Sequence, residues 1–169
     1  MNDTLLTALT VILIGSSAFG QSFPTYWNQI NEDAIEASGT RYIKPTEYQT
    51  FHLDLEAMDQ VLFNAPTEII GQETPTNVVI ALPDADGEPK NFNIYYSPIM
   101  EQPLADMFPD IRTYAGYSDD GSYVRFDHTP KGFHAMVWPR EGGIYFIDPY
   151  AFGAENPEHY IIYRKKDHR

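Results

Sequence analysis

Between Val124 and Trp138 the chain reads VRFDHTPKGFHAMVW, which sets an aspartate beside one histidine and a second histidine six residues further on. A carboxylate that orients an imidazole is the raw material of acid–base chemistry, of nucleophile activation and of metal binding. Taking Thr129 to Gly132 as a loop and pairing outward sets His128 against Phe133, Asp127 against His134, Phe126 against Ala135, Arg125 against Met136 and Val124 against Val137. Strand alternation then places Val124, Phe126, His128, Phe133, Ala135 and Val137 on one apolar face. Tyr123, Arg125, Asp127, His134, Met136 and Trp138 share the other. Asp127 and His134 become a cross-strand pair, and a one-residue slip would scramble both faces.

For catalysis that pair must orient a nucleophile or a metal, and the sequence flags neither. No G-x-S-x-G, H-E-x-x-H, C-x-x-C, P-loop or dinucleotide-binding glycine pattern occurs. The five histidines (His52, His128, His134, His159 and His168) are dispersed, and none lies four residues from another as a helical zinc pair requires. Asp127 and His134 are therefore read as a structural ion pair, worth under about 1 kcal/mol if exposed. No catalytic, cofactor-binding or metal-ligating residue is assigned. DADGEPK, from Asp84, opens like a calcium loop, but the twelfth position is Tyr95 instead of glutamate, so a hairpin turn explains it better. Asp119, Asp120 and Gly121 are likewise read as a turn. Among the twelve tyrosines and two tryptophans, Trp27, Tyr117 and Trp138 are the candidate binding aromatics for a carbohydrate or peptide. Aromatics in strands otherwise serve as core and cross-strand pairs.

The elements that must position these residues are legible from Phe51 onward. FHLDL alternates like a half-buried strand, and EAMDQVLFNAP spaces Leu55, Met58 and Leu62 as a helix that Pro66 stops. NVVIALP and NFNIYYS flank the DADGEPK turn as a hairpin. Met100, Leu104, Met107 and Phe108 predict a second short helix before Pro109. IRTYAGYS, SYVRFDHT, FHAMVW, GIYFIDPY and HYIIYRK then follow as strands divided by glycine-containing turns. The pattern predicts a β-rich α+β fold, an antiparallel sheet of meander or sandwich-like form covered by two short helices.

With 169 residues, 43% of them hydrophobic, the chain has material for one domain with a substantial core. Residues 51–169 are read as that domain and residues 21–50 as a lead-in without sustained period. LLTALTVILI, Leu5 to Ile14, is too short to span a bilayer and precedes small residues, so residues 1–20 read as a signal peptide. Its positive n-region is supplied by the α-amino group alone, since MNDT carries an acid and no base. Export to an extracellular or periplasmic location follows, with no stable membrane span after cleavage. With no cysteine, the core must hold without disulfides. The net charge of −13 opposes nucleic acid and anionic lipid as partners. Four of the eleven bases fall in the last six residues, where Arg164, Lys165 and Lys166 read as a solvated tail, a tether or a processing site.

Several segments in fixed order carry a family likeness: Ser97-Pro98-Ile99-Met100, FPDIRTYAG at Phe108 to Gly116, RFDHTPKGFHA at Arg125 to Ala135, and YFIDPY at Tyr145 to Tyr150. From Phe51 to Asp167 the chain resembles the N-terminal pro-domain-like region of secreted bacterial reprolysin-type (adamalysin-like) zinc metallopeptidases. The resemblance implies a non-catalytic module that assists folding, export or latency of such a peptidase, whose catalytic domain would be its partner in cis or in trans. The zinc helix is not within Met1 to Arg169, and no cysteine is present to hold a zinc. Shielding of a cleft would therefore proceed by steric cover, a carboxylate or an imidazole, with HYIIYRK available as an edge strand for a neighbouring sheet. A stand-alone extracellular carbohydrate- or peptide-binding module is the alternative.

Overall fold

The computed structural model describes residues 26–36, 39–153 and 157–168. The expected signal peptide over residues 1–20 and the first part of the lead-in, residues 21–25, lie outside the described residues. The strands are β1 Trp27–Gln29, β2 Gln49–Leu53, β3 Val79–Pro83, β4 Pro89–Tyr96, β5 Arg112–Tyr117, β6 Tyr123–Thr129, β7 Gly132–Trp138, β8 Tyr145–Pro149 and β9 His159–Arg164. Two α-helices accompany them, α1 Leu55–Leu62 and α2 Gln102–Met107, with 3-10 turns at Glu32–Ala34 and Lys165–Asp167.

All nine strands join one sheet in the order β1-β2-β9-β8-β7-β6-β5-β4-β3, with every neighbouring pair antiparallel. The expected β-rich α+β fold is present, and its meander runs unbroken from β3 to β9. A second sheet is not needed to cover the apolar face, because the single sheet curls into a near-barrel and packs that face against itself. Inside lie Trp27, Phe51, Phe92, Tyr114, Phe126, Phe133, Ile147 and Tyr160, each no more than 2% exposed. Trp27 is the hub, meeting Phe51, Phe133 and Tyr160 edge-to-face at centroid distances of 6.1, 5.9 and 5.6 Å.

The sheet's two edges are drawn together by a side chain. The Ala81 N–H of β3 donates to Tyr26 Oη at 3.1 Å, immediately before β1. An edge amide that would otherwise be unpaired is thus satisfied across the seam. At the turn after β3, Gly87 adopts φ +91°, and a Cβ there would stand 3.3 Å from Gln29 Nε2. Arg164 at the end of β9 reaches Asp86 in the same turn at 2.6 Å. The opposite end is plugged by α1, whose N-terminus is capped by Asp54 accepting from Ala57 N–H at 3.0 Å, and which buries Met58 and Leu62.

Three expectations are corrected. Residues 21–50 are not merely a lead-in, since Trp27–Gln29 is a sheet strand and Trp27 is 1% exposed. A three-residue strand has no period to read, so only its tertiary partner reveals it. β9 is not an edge, because β2 and β8 flank it. Finally, α2 does not cover the sheet: it buries no residue, and Leu104 and Met107 are 46% and 70% exposed.

Replacing Trp27 with alanine removes the hub and should destabilise the fold by about 3–5 kcal/mol, the usual cost of deleting a buried aromatic. Urea unfolding followed by tyrosine fluorescence and circular dichroism measures it; a loss under about 1 kcal/mol would show that β1 is peripheral.

Candidate functional site

The hairpin pairs as its alternation requires, with Asp127 opposite His134 and His128 opposite Phe133. Gly132, at φ +117°, closes the turn where Pro149, Pro157 and Tyr160 crowd the space a Cβ would take. On the outer face His134 Nδ1 lies 3.3 Å from Asp127 Oδ1. Register continues this row across β8, and Asp148 adds its charge on the imidazole's other side. Burial alone lowers the His134 pKa, but the hydrogen bond and charge of Asp127, reinforced by Asp148, outweigh it and leave it raised. Burial also raises the Asp148 carboxyl, offset in part by the Tyr163 hydroxyl, which donates to it at 2.8 Å. Among the described residues no three His, Asp or Glu groups converge in a way that could hold a metal ion. The geometry makes the pair a clamp across β6 and β7.

The other named aromatics separate sharply. Trp27 is buried in the core and is withdrawn as a binding aromatic. Tyr117 and Trp138 instead stand on the outer face at the end of the barrel away from α1. Between them the register inserts Tyr123, opposite Tyr117 on one side and Trp138 on the other. Ring centroids are 4.9 Å apart from Tyr117 to Tyr123 and 5.5 Å from Tyr123 to Trp138, which makes a continuous aromatic row. Tyr117 is 54% exposed, and Tyr123 and Trp138 are half-buried. Beside the row opens a cleft of about 690 Å³ whose walls include Glu68, Gln72, Asn93, Tyr95 and Tyr117. Burial and the neighbouring Tyr123 and Tyr117 push the Tyr95 hydroxyl up to about 12, so it stays a neutral hydrogen-bonding group. Glu68 is held by Ser97 Oγ, which donates to it at 2.6 Å.

The basic run is less free than a solvated tail. Arg164 is committed to Asp86, and the Thr46 N–H donates to the Asp167 carbonyl at 2.9 Å, pinning the 3-10 turn. Lys165 and Lys166 remain exposed. Sequence reasoning missed a second polar cluster altogether. Glu32 accepts from Tyr48 Oη at 2.6 and 2.7 Å, from Tyr150 Oη at 2.7 Å and from Arg41 Nη1 at 2.8 Å. The two tyrosine hydrogen bonds, then Arg41, hold its carboxyl below the ordinary value against the opposing effect of burial. Glu32 and Tyr150 are 118 residues apart, a separation that no local pattern bridges.

A raised His134 means that the folded chain binds this proton more tightly than the unfolded one. Its stabilising share is complete below the ordinary histidine value of about 6.5 and fades as pH rises through the folded value. NMR titration of the His134 ring should give a midpoint above that of an unstructured histidine, and Asp127→Asn should move it down. A midpoint unmoved by D127N would remove Asp127 as the cause.

Among the described residues no helix is long and apolar enough to cross a membrane. Comparison of the chain with protein-family models, curated proteins and solved structures finds no match, so the functional reading rests on the residues and their geometry.

Proposed function

We propose that this chain is an extracellular binding module that acts by recognition and not by catalysis, taking carbohydrate along the Tyr117–Tyr123–Trp138 row. The single observation that carries the reading is the row itself. Three rings from three strands lie contiguous on an outer face, where packing does not require them. Sugar rings present C–H faces that stack on aromatic rings, while their hydroxyls need a few fixed hydrogen-bonding partners. Asn93, Tyr95 and Gln72 supply such partners in the adjoining cleft. Tyr95 remains un-ionised at every pH of interest, so it both donates and accepts. The chain's acidity fits a neutral ligand better than a polyanion.

A second reading retains the resemblance to the pro-domain-like region of reprolysin-type zinc metallopeptidases, with secretion and a peptidase partner in cis or in trans. One observation favours it: Ile99, Met107 and Phe108, within one short stretch around α2, are 68%, 70% and 47% exposed. Clustered apolar exposure of that kind is characteristic of protein-docking surfaces.

Isothermal titration of the protein against a panel of neutral oligosaccharides decides between them. On the first reading one class binds, and Tyr117→Ala and Trp138→Ala each weaken it roughly three- to tenfold, the worth of one aromatic stack. Undiminished affinity in both variants, or failure of every oligosaccharide, contradicts it. On the second, saturating protein lowers turnover by a reprolysin-type peptidase and Met107→Asp abolishes that effect; unchanged turnover contradicts latency.

A further inference from the structure

At the end of the barrel opposite the aromatic row, α1 does not close the mouth completely. Between it and the strands remains a cavity of about 420 Å³, the scale of a small-molecule site. β5 and β6 place Arg112 and His128 directly opposite each other, and both belong to the inward-facing alternation that carries Tyr114 and Phe126. Both side chains carry hydrogen-bond donors that need an acceptor. One acceptor is present: Asp59, from the exposed side of α1, lies 2.7 Å from His128 Nδ1. Burial raises the Asp59 carboxyl, while His128 and Arg112 draw it back.

Asp59 does not satisfy the Arg112 guanidinium. His128 spends Nδ1 on Asp59, and its Nε2, which has no hydrogen-bond partner among the described residues, donates only from the imidazolium form. The Arg112 guanidinium lies 5.1 Å from the Tyr96 ring centroid and 5.7 Å from that of Tyr114, yet none of its N–H groups meets an acceptor among the described residues. A guanidinium flanked by two aromatic rings, with its N–H groups uncommitted, has its planar fork available for bidentate recognition. The apolar part of the wall is Phe63, which is 77% exposed, with Pro109 and Pro130. Asp110 also lines the mouth, exposed and screened by water. The two carboxylates already offset the charge of Arg112, so the site disfavours a phosphate dianion, and a monoanion is held by the directional hydrogen bonds of the guanidinium.

We propose that this mouth is a binding site for a monocarboxylate with an apolar body, its carboxylate held by the Arg112 fork beside His128 and its body resting on Phe63. The ligand is a free small acid or the C-terminal carboxylate of a peptide, and the two share this chemistry. The site is separate from the aromatic row and stands whether or not the row binds carbohydrate.

The test uses the full chain labelled with 15N, titrated with 3-phenylpropionate, hexanoate, and a short peptide ending in phenylalanine, each alongside its amide. Saturable shifts at Arg112, His128 and Phe63 are expected for at least one carboxylate, with its amide at least tenfold weaker. Arg112→Gln should lose at least tenfold in affinity, while Arg112→Lys, which keeps the charge and removes the fork, should fall between R112Q and the native protein. Binding by the small acids alone supports the site with a metabolite-like ligand, and binding by the peptide alone supports it as a chain-terminus site. Equal binding of acid and amide, or no shift at the mouth with any of the acids, overturns the proposal, and that comparison needs no variant to fold.

Discussion

The fold depends on closing a sheet whose last and first strands are not sequence neighbours. β3 to β9 form a meander that local hairpins can build alone, but its two edges would remain open. The β1–β2 hairpin pairs with β9 on one side and approaches β3 on the other, where Tyr26 takes the Ala81 amide. Trp27 then fills the centre against Phe51, Phe133 and Tyr160. Burial on this scale, at roughly 25 cal/mol per Å² of apolar surface, offsets the indole N–H left without a partner inside. Without a disulfide anywhere in the chain, that aromatic contact and the seam are what keep the curl closed.

A barrel filled by its own side chains has consequences for recognition. Inner positions along every strand are spent on packing, so ligand chemistry is confined to the outer face and to the two ends. On the outer face the same strict alternation that buries Val124, Phe126 and Val137 projects Tyr123, Asp127, His134 and Trp138 outward. Neighbouring strands place those outward residues in rows. One row becomes the Asp127–His134 clamp, and another becomes the aromatic strip. At the α1 end, the inward alternation runs out of core to fill, and Arg112 and His128 meet a cavity there instead of a hydrophobic partner.

The features legible in the sequence share one property, which is locality. The β6–β7 register followed from a four-residue loop and from the cost of burying polar groups on the wrong face. The α1 helix followed from the Leu55, Met58, Leu62 spacing with Asp54 ahead and Pro66 behind. The features that were illegible join distant residues. Trp27 looked like a surface aromatic because β1 is short and its partner Leu53 lies beyond the 3-10 turn. Tyr123 escaped notice as the link between Tyr117 and Trp138, since the row emerges only when β5, β6 and β7 are laid side by side. His128 was placed correctly on the apolar face, but the Asp59 that pairs with it comes from a different element 69 positions earlier. Nor does the apolar spacing of α2 show that its hydrophobic side chains remain uncovered, because periodicity reports amphipathicity and not what the apolar face meets.

Native-state hydrogen exchange tests directly whether the N-terminal hairpin seals the barrel around a filled interior. The Ala81 amide sits at the seam, those of Ile30 and Leu53 bind the β1–β2 hairpin into the sheet, and those of Ile147 and Ile162 lie in the meander's middle. On this account all five exchange only through the global unfolding event, with one common free energy. Exchange at Ala81 and Ile30 that is orders of magnitude faster than at Ile147 and Ile162 would mean that the seam opens independently, and the account of a closed barrel working through its surface would be wrong.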